Sequence, residues 1–192
     1  DPSVLTLILA GVAISALAGA LITLALNLSP NPYAAFEIFF WLMGSLADRS
    51  LDHVALALPL IIIGMVILMT TGAGLDALTL GEDVAQTLGV GLFGLQARVI
   101  IGTALTVGAS VSVAGVIGFV GLVVPHLLRP AVGQIPARLL IVSAPGGAAL
   151  TLAADTAVRF LTNGPELHLG VLTALIGAPF FLALVLKIRR EG

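Results

Sequence analysis

Apolar residues run along this chain in blocks of membrane-spanning length, separated by a few short polar stretches. A helix needs about 20 apolar residues to cross the hydrocarbon core of a bilayer. Val4–Leu26 is such a run and Val54–Thr71 a slightly shorter one. Val99–Val116, Leu139–Leu161 and Leu167–Leu186 follow, with Asp155 interrupting the fourth. Gly118–Arg129 is apolar but too short to cross as a full helix. Backbone polar groups must find partners inside a bilayer. This piece is therefore predicted to pack against protein and to re-cross with help from the end of its neighbour. The pattern predicts an all-α polytopic transmembrane helical bundle of about six crossings, one of them a short broken helix, in a single domain over residues 1–192.

Composition agrees. The chain is 59% hydrophobic and 9% charged, with a mean hydropathy of +1.17. A soluble domain carries about 25% charged residues, so polar side chains cannot cover this surface. The 22 glycines suit close helix packing in lipid. With no cysteine, disulfide scaffolds and thiolate metal sites are excluded. The chain opens Asp1-Pro2, without Met or a basic n-region, and so does not begin with a signal peptide. It is expected to be a fragment of a longer polypeptide or a processed form.

Charge sets the orientation. With six crossings both ends share a side, and the basic residues should collect in the cytoplasm. Lys187, Arg189, Arg190, Arg98, Arg129 and Arg138 then fall inside, and only Arg49 and Arg159 of the eight Lys/Arg fall outside. The C-terminus and the polar stretch Gly74–Gly89 are thereby placed in the cytoplasm. The outer loop Ser29–His53 holds an apolar helical stretch, Ala34–Leu46, read as an interfacial or re-entrant helix with Tyr33 and Trp41 near the headgroups.

Gly74–Gly89 is the most distinctive polar segment, with Asp76, Glu82 and Asp83 among hydrocarbon. Thr79-Leu80-Gly81-Glu82 fits a capping box, with Thr79 as N-cap and Glu82 at N3. Gly89 stands where a helix C′ residue belongs. Two short helices hinged near Gly81 are expected, with Leu75 and Leu78 on one face of the first, and Val84, Ala85 and Leu88 on one face of the second. Such a loop is either a solvated connector or a docking surface for a soluble partner.

In Gly118–Arg129, Pro125 is expected to break or start a helix. Gly118 and Gly121 are expected to allow a tight turn and close backbone approach. The string reads either as a broken helix at a transport pathway or as a packing kink. Asp155 and Arg159 stand i, i+4 near the outer end of the fourth long span, which favours an intrahelical ion pair and leaves Arg159 at the rim. Gly11, Ser15, Gly19 and Thr23 form a small-residue stripe, as do Ala104, Gly108 and Ser112. His53, His126 and His168 lie on separate segments without ligand spacing, so no metal site is expected. There is no P-loop, no H-E-x-x-H and no G-x-S-x-G. No catalytic residues are expected.

Several strings together resemble one family. They are Trp41–Leu46, Leu80-Gly81-Glu82 with Leu88-Gly89-Val90, Gly115–Arg129, Leu152–Asp155, Glu166–Gly170 and Gly177–Phe181. In this order, spread over nearly the whole chain, they resemble FecCD-type permeases, the membrane subunits of ABC importers for ferric siderophores, haem and vitamin B12. The resemblance implies the C-terminal part of a ten-span chain, with a cytoplasmic coupling loop over residues 72–92. It implies docking of a cytoplasmic ABC ATPase through Leu78, Gly81, Glu82, Ala85, Leu88 and Gly89. It also implies Arg159 docking a periplasmic or lipoprotein substrate-binding protein. Gly118, Gly121, Pro125, His126 and Arg129 match the family's short eighth helix. Gly11, Ser15 and Gly19 would lie on the helix that lines the pathway. A second permease subunit and the lipid membrane are the remaining partners; nucleic acid is not one. No cofactor is expected on this chain, because ATP would sit on the partner. The implied function is uptake of an iron chelate or cobalamin by alternating access. The rival reading is a secondary transporter moving protons through Asp155.

Overall fold

A computed structural model describes residues 4–161 and 168–191. They are all-helical: α1 (Val4–Leu28), α2 (Pro32–Met43), α3 (Leu51–Met69), α4 (Gly72–Leu78), α5 (Glu82–Thr87), α6 (Leu92–Ala114), α7 (Val120–Leu128), a 3₁₀ turn (Arg129–Val132), α8 (Pro136–Leu161) and α9 (Leu169–Glu191). Among the described residues, four helices are long and apolar enough to cross a membrane, and two shorter apolar helices cover Val120–Val132 and Leu169–Leu184. The predicted polytopic all-α architecture is what the chain adopts.

The chain divides into two compact units, Asp1–Phe40 and Trp41–Gly192. The first contains α1 and most of α2. Asn31 Oδ1 accepts the Tyr33 N–H at 3.0 Å and so caps α2 locally. α2 stops at Met43 rather than Leu46, because Gly44 turns to φ 61°.

In the second unit α3 and α6 form the central pair. Ala57 and Gly64 are the buried positions of α3, and Leu95, Gly102 and Ala109 those of α6. Each set repeats every seven residues, the spacing of a left-handed helix pair. The backbones meet where Gly64 faces Gly102. A Cβ on Gly64 would lie 2.7 Å from the Gly102 carbonyl oxygen, and one on Gly102 would lie 2.7 Å from Leu68 Cγ. The stripe that packs is thus Leu95–Gly102–Ala109, not Ala104–Gly108–Ser112. Many large side chains, such as Ile62, Val66, Ile100 and Leu152, remain exposed, as expected of helices whose outer solvent is hydrocarbon. At one end of this pair Arg98 reaches from α6 to the Gly94 and Thr70 carbonyls, at 3.1 and 3.4 Å, and so ties down the end of α3.

At the other end three chain junctions meet backbone to backbone. Val116 N–H donates to Trp41 O at 3.1 Å, Ser45 N–H to Ala114 O at 2.8 Å and Gly170 N–H to Gly44 O at 3.2 Å. Only glycine fits. A Cβ on Gly44 would overlap the Val116 carbonyl, one on Gly115 the Trp41 carbonyl and one on Gly170 the Met43 carbonyl. Gly44 and Gly115 also have φ of 61° and 73°, a region that L side chains resist.

The helix break falls at this node, which corrects the sequence reading. α6 ends at Gly115, and α7 starts after Phe119, a non-glycine residue at φ 65°. Pro125 lies inside α7 and neither starts nor ends it. Gly118 and Gly121 are not the close-approach glycines, since a Cβ on either would meet no heavy atom within 4 Å. The physical reason is tertiary: glycine is required where another segment's backbone arrives, and Gly115 is where Trp41 and Gly44 arrive.

Candidate functional site

The polar segment folds as two short helices with a sharp joint. α4 ends at Thr79, whose hydroxyl turns back to the Asp76 carbonyl at 2.7 Å. Thr79 is therefore a C-cap, and the expected capping box does not form. The N-cap of α5 is Gly81, at φ 104° and ψ 154°, with Glu82 as the first helical residue. This backbone region is essentially glycine-only, so Gly81 makes the hinge through its conformation rather than through a side-chain bond. Glu82 and Asp83 occupy the first turn of α5, where the helix dipole favours negative charge.

α5 closes as a Schellman motif. Gly89, at φ 85°, donates to the Gln86 carbonyl at 2.9 Å, and Val90 donates to the Ala85 carbonyl at 3.0 Å. Gly89 is thus the expected C′ residue.

Burial sorts the predicted face. Ala85 is fully buried and seats α5 on the rest of the unit, while Leu78 is half-buried on α4. Leu88 and Val84 are 63% and 42% exposed, and Leu80 beside the hinge is 64% exposed. A small apolar patch therefore stands outward next to the exposed carboxylates of Glu82 and Asp83. An exposed apolar patch rimmed by charge is the composition of a protein-docking surface.

Sequence reasoning missed how this loop is held. Asp76 Oδ1 accepts the Ala137 N–H at the start of α8 at 2.8 Å. The signal was present, because Ile135 ahead of α8 has no side-chain acceptor and the helix must be capped from elsewhere.

Arg159 stands near the far end of α8. Its Nε donates to Asp155 Oδ2 at 2.8 Å, and the two side chains are 61% and 18% exposed. The expected intrahelical ion pair is formed, and much of the guanidinium still faces outward.

Of the broken-helix residues, Gly121, Pro125 and His126 sit on α7, Gly118 in the unwound link before it and Arg129 in the turn after it. His126 packs edge-on against Phe180 of α9, with ring centroids 5.8 Å apart at 70°. Arg129 is exposed. Phe119 presses its Cβ and ring onto Gly177, where a Cβ would overlap them. A cleft of about 390 Å³ opens beside the break, lined by Thr106, Ser110, Gly115, Val120, Gly121 and Thr151 among others. Its hydroxyls bond to carbonyls of their own helices, which leaves the wall small and weakly polar.

Gly11, Ser15 and Gly19 lie on α1 in the first unit. They are exposed, and a Cβ on either glycine would meet nothing within 4 Å. His53 serves as a helix cap: its Nδ1 accepts the Ser50 N–H at 3.2 Å and lies 2.9 Å from the Ser50 hydroxyl. Among the described residues no group of three or more His, Asp or Glu gathers as metal ligands. The predicted strings Glu166 and Leu167 and the side chains of Lys187, Arg189 and Arg190 lie outside the described residues.

The fold defines a polytopic helical membrane protein, with a short polar helical pair between two of its long helices. The FecCD transport family matches residues 1–187, and the chain belongs to that family. It is 43% identical over 183 residues to the vitamin B12 import system permease protein BtuC of Vibrio cholerae serotype O1, covering 94% of this chain and 54% of the relative. It is 39% identical over 185 residues to the hemin transport system permease protein HmuU of Yersinia pestis, covering 96% and 55%. A solved ABC transporter assigned to the metal-chelate type, in an inward-facing conformation, superposes with a TM-score of 0.86 at 37% identity, covering 96% of this chain and 61% of that one. The chain spans about half the length of the curated relatives it matches.

Proposed function

We propose that this chain is permease machinery of a binding-protein-dependent ABC importer, moving an iron chelate or cobalamin across the inner membrane by alternating access. The observation that carries this reading is the Gly72–Thr87 pair of helices, which offers Leu80, Val84 and Leu88 beside Glu82 and Asp83 on a joint only glycine can make. Membership of a transport family supports a cytoplasmic ATPase as the partner of this loop. The apolar trio supplies contact area, the carboxylates supply orientation against basic groups, and the fixed hinge lets a push on α5 reach α4 without collapsing the joint. ATP hydrolysis belongs to the partner. The names of the relatives, one importing vitamin B12 and one hemin, support a bulky metal chelate as cargo.

Arg159, outward-facing at the opposite end of α8, suits an acid on a substrate-binding protein. This assignment places the α4–α5 loop and the C-terminus in the cytoplasm. The unwound Gly115–Phe119 segment and the weakly polar cleft beside it support a pathway wall that slides along cargo without binding it tightly.

The test is Gly81→Pro and Glu82→Lys in the complete transporter. Proline fixes φ near −65°, which cannot reproduce the 104° of Gly81, and it removes the N–H that Gly81 donates to Leu78 at 3.1 Å. Both variants should insert normally yet lose ATP-driven uptake. Normal coupling in both would sink the docking role of the loop.

A further inference from the structure

α8 starts without a cap of its own. Ile135 ahead of it has no side-chain acceptor, and Gly133 and Gln134 before that take φ of 70° and 62°. The Ala137 N–H is met instead by Asp76 Oδ1, 61 residues away in sequence, at 2.8 Å. Gly72, one turn earlier on α4, is buried, and a Cβ there would lie 3.1 Å from Ala137 Cβ. α4 therefore grips Ala137 at two points, one steric and one an anion on a helix N-terminus. A bond of this charge-assisted kind favours the joined state about tenfold or more.

We propose that Asp76 is a positioning residue that clasps the docking loop to α8, so that α4 and the first turn of α8 move as one body. A displacement received at Gly81 and Glu82 is then delivered to α8. That 26-residue helix carries it to the opposite end, where Arg159 stands. One helix thus joins the two docking faces. The inference rests on the permease reading above and adds to it the route between the two partners.

The experiment uses the full transporter with its ATPase and binding protein in proteoliposomes. Uptake of radiolabelled cyanocobalamin, hemin and ferric dicitrate is measured per ATP hydrolysed. Asp76→Ala should lower cargo moved per ATP about tenfold, while the ATPase still co-purifies at wild-type stoichiometry. Asp76→Asn keeps a carbonyl oxygen that can accept from Ala137 and should fall clearly between wild type and Asp76→Ala. In this cysteine-free chain, a Gly72→Cys and Ala137→Cys pair should form a disulfide under oxidation and leave cargo per ATP unchanged, because the joined residues do not separate. A wild-type ratio in Asp76→Ala, or loss of transport on oxidation that reductant restores, overturns the clasp. Should Asp76→Ala fail to fold, the cross-link decides alone. A wild-type complex without ATP-driven uptake of any of the three cargoes overturns the permease reading, and the clasp with it; wild-type uptake with an indifferent Asp76 overturns the clasp alone.

Discussion

Replacing Gly115 by alanine tests whether the end of α6 is a built joint or a loose kink. Gly115 sits at φ 73° and ψ −169°, and holding a side-chain residue in this region costs about 1–3 kcal/mol. The new methyl group would also overlap the Trp41 carbonyl oxygen and lie 3.0 Å from Gly44 Cα. Both are backbone atoms and cannot swing aside. Overpacking of this kind adds about 1–3 kcal/mol. The expected destabilisation is about 2–6 kcal/mol, with loss of the Val116 N–H bond to Trp41 as the segments part. Gly118→Ala is the matched control, three residues on, where the methyl group meets nothing within 4 Å. It should stay within about 1 kcal/mol of wild type. Reversible unfolding of both variants in mixed detergent micelles gives the comparison directly. Equal stabilities would refute the backbone node and return the break to Gly118 and Pro125.

Gly64→Val should separate α3 from α6, because its Cβ already lies 2.7 Å from the Gly102 carbonyl. A loss of about 1–3 kcal/mol or more in the same unfolding assay is expected, and wild-type stability would contradict the pairing. Arg159→Glu should weaken association with the substrate-binding protein in a pull-down from the complete transporter, and unchanged retention would remove Arg159 from that surface. Asp155→Asn removes an i, i+4 pair to an outward-facing guanidinium, a weak helix-surface interaction, so stability and ATP-driven uptake should barely change. Abolished uptake would instead revive a proton pathway through Asp155.

The sequence legibly determined what depends on local pattern. Apolar run length marked α1, α3, α6 and α8 as spans, because a bilayer imposes one length on every crossing helix. The i, i+4 spacing of Asp155 and Arg159 foretold their bond, since helix geometry alone brings the two side chains together. Gly81 and Gly89 were legible as punctuation because glycine on either side of a short polar run has few other uses.

What tertiary structure alone decided is where distant backbones meet. Gly44, Gly115 and Gly170 are far apart in sequence, and nothing local separates them from Gly118 or Gly121; only the arrival of the Trp41, Met43 and Val116 carbonyls makes them indispensable. Thr79 fitted a capping box by spacing, yet its hydroxyl turned to Asp76 because the chain had to bend at Gly81 first. Asp76 looked like one more solvated acid of a polar loop. Its role came from the packing of α4 on α8, which brought a carboxylate to a helix end that its own sequence could not cap.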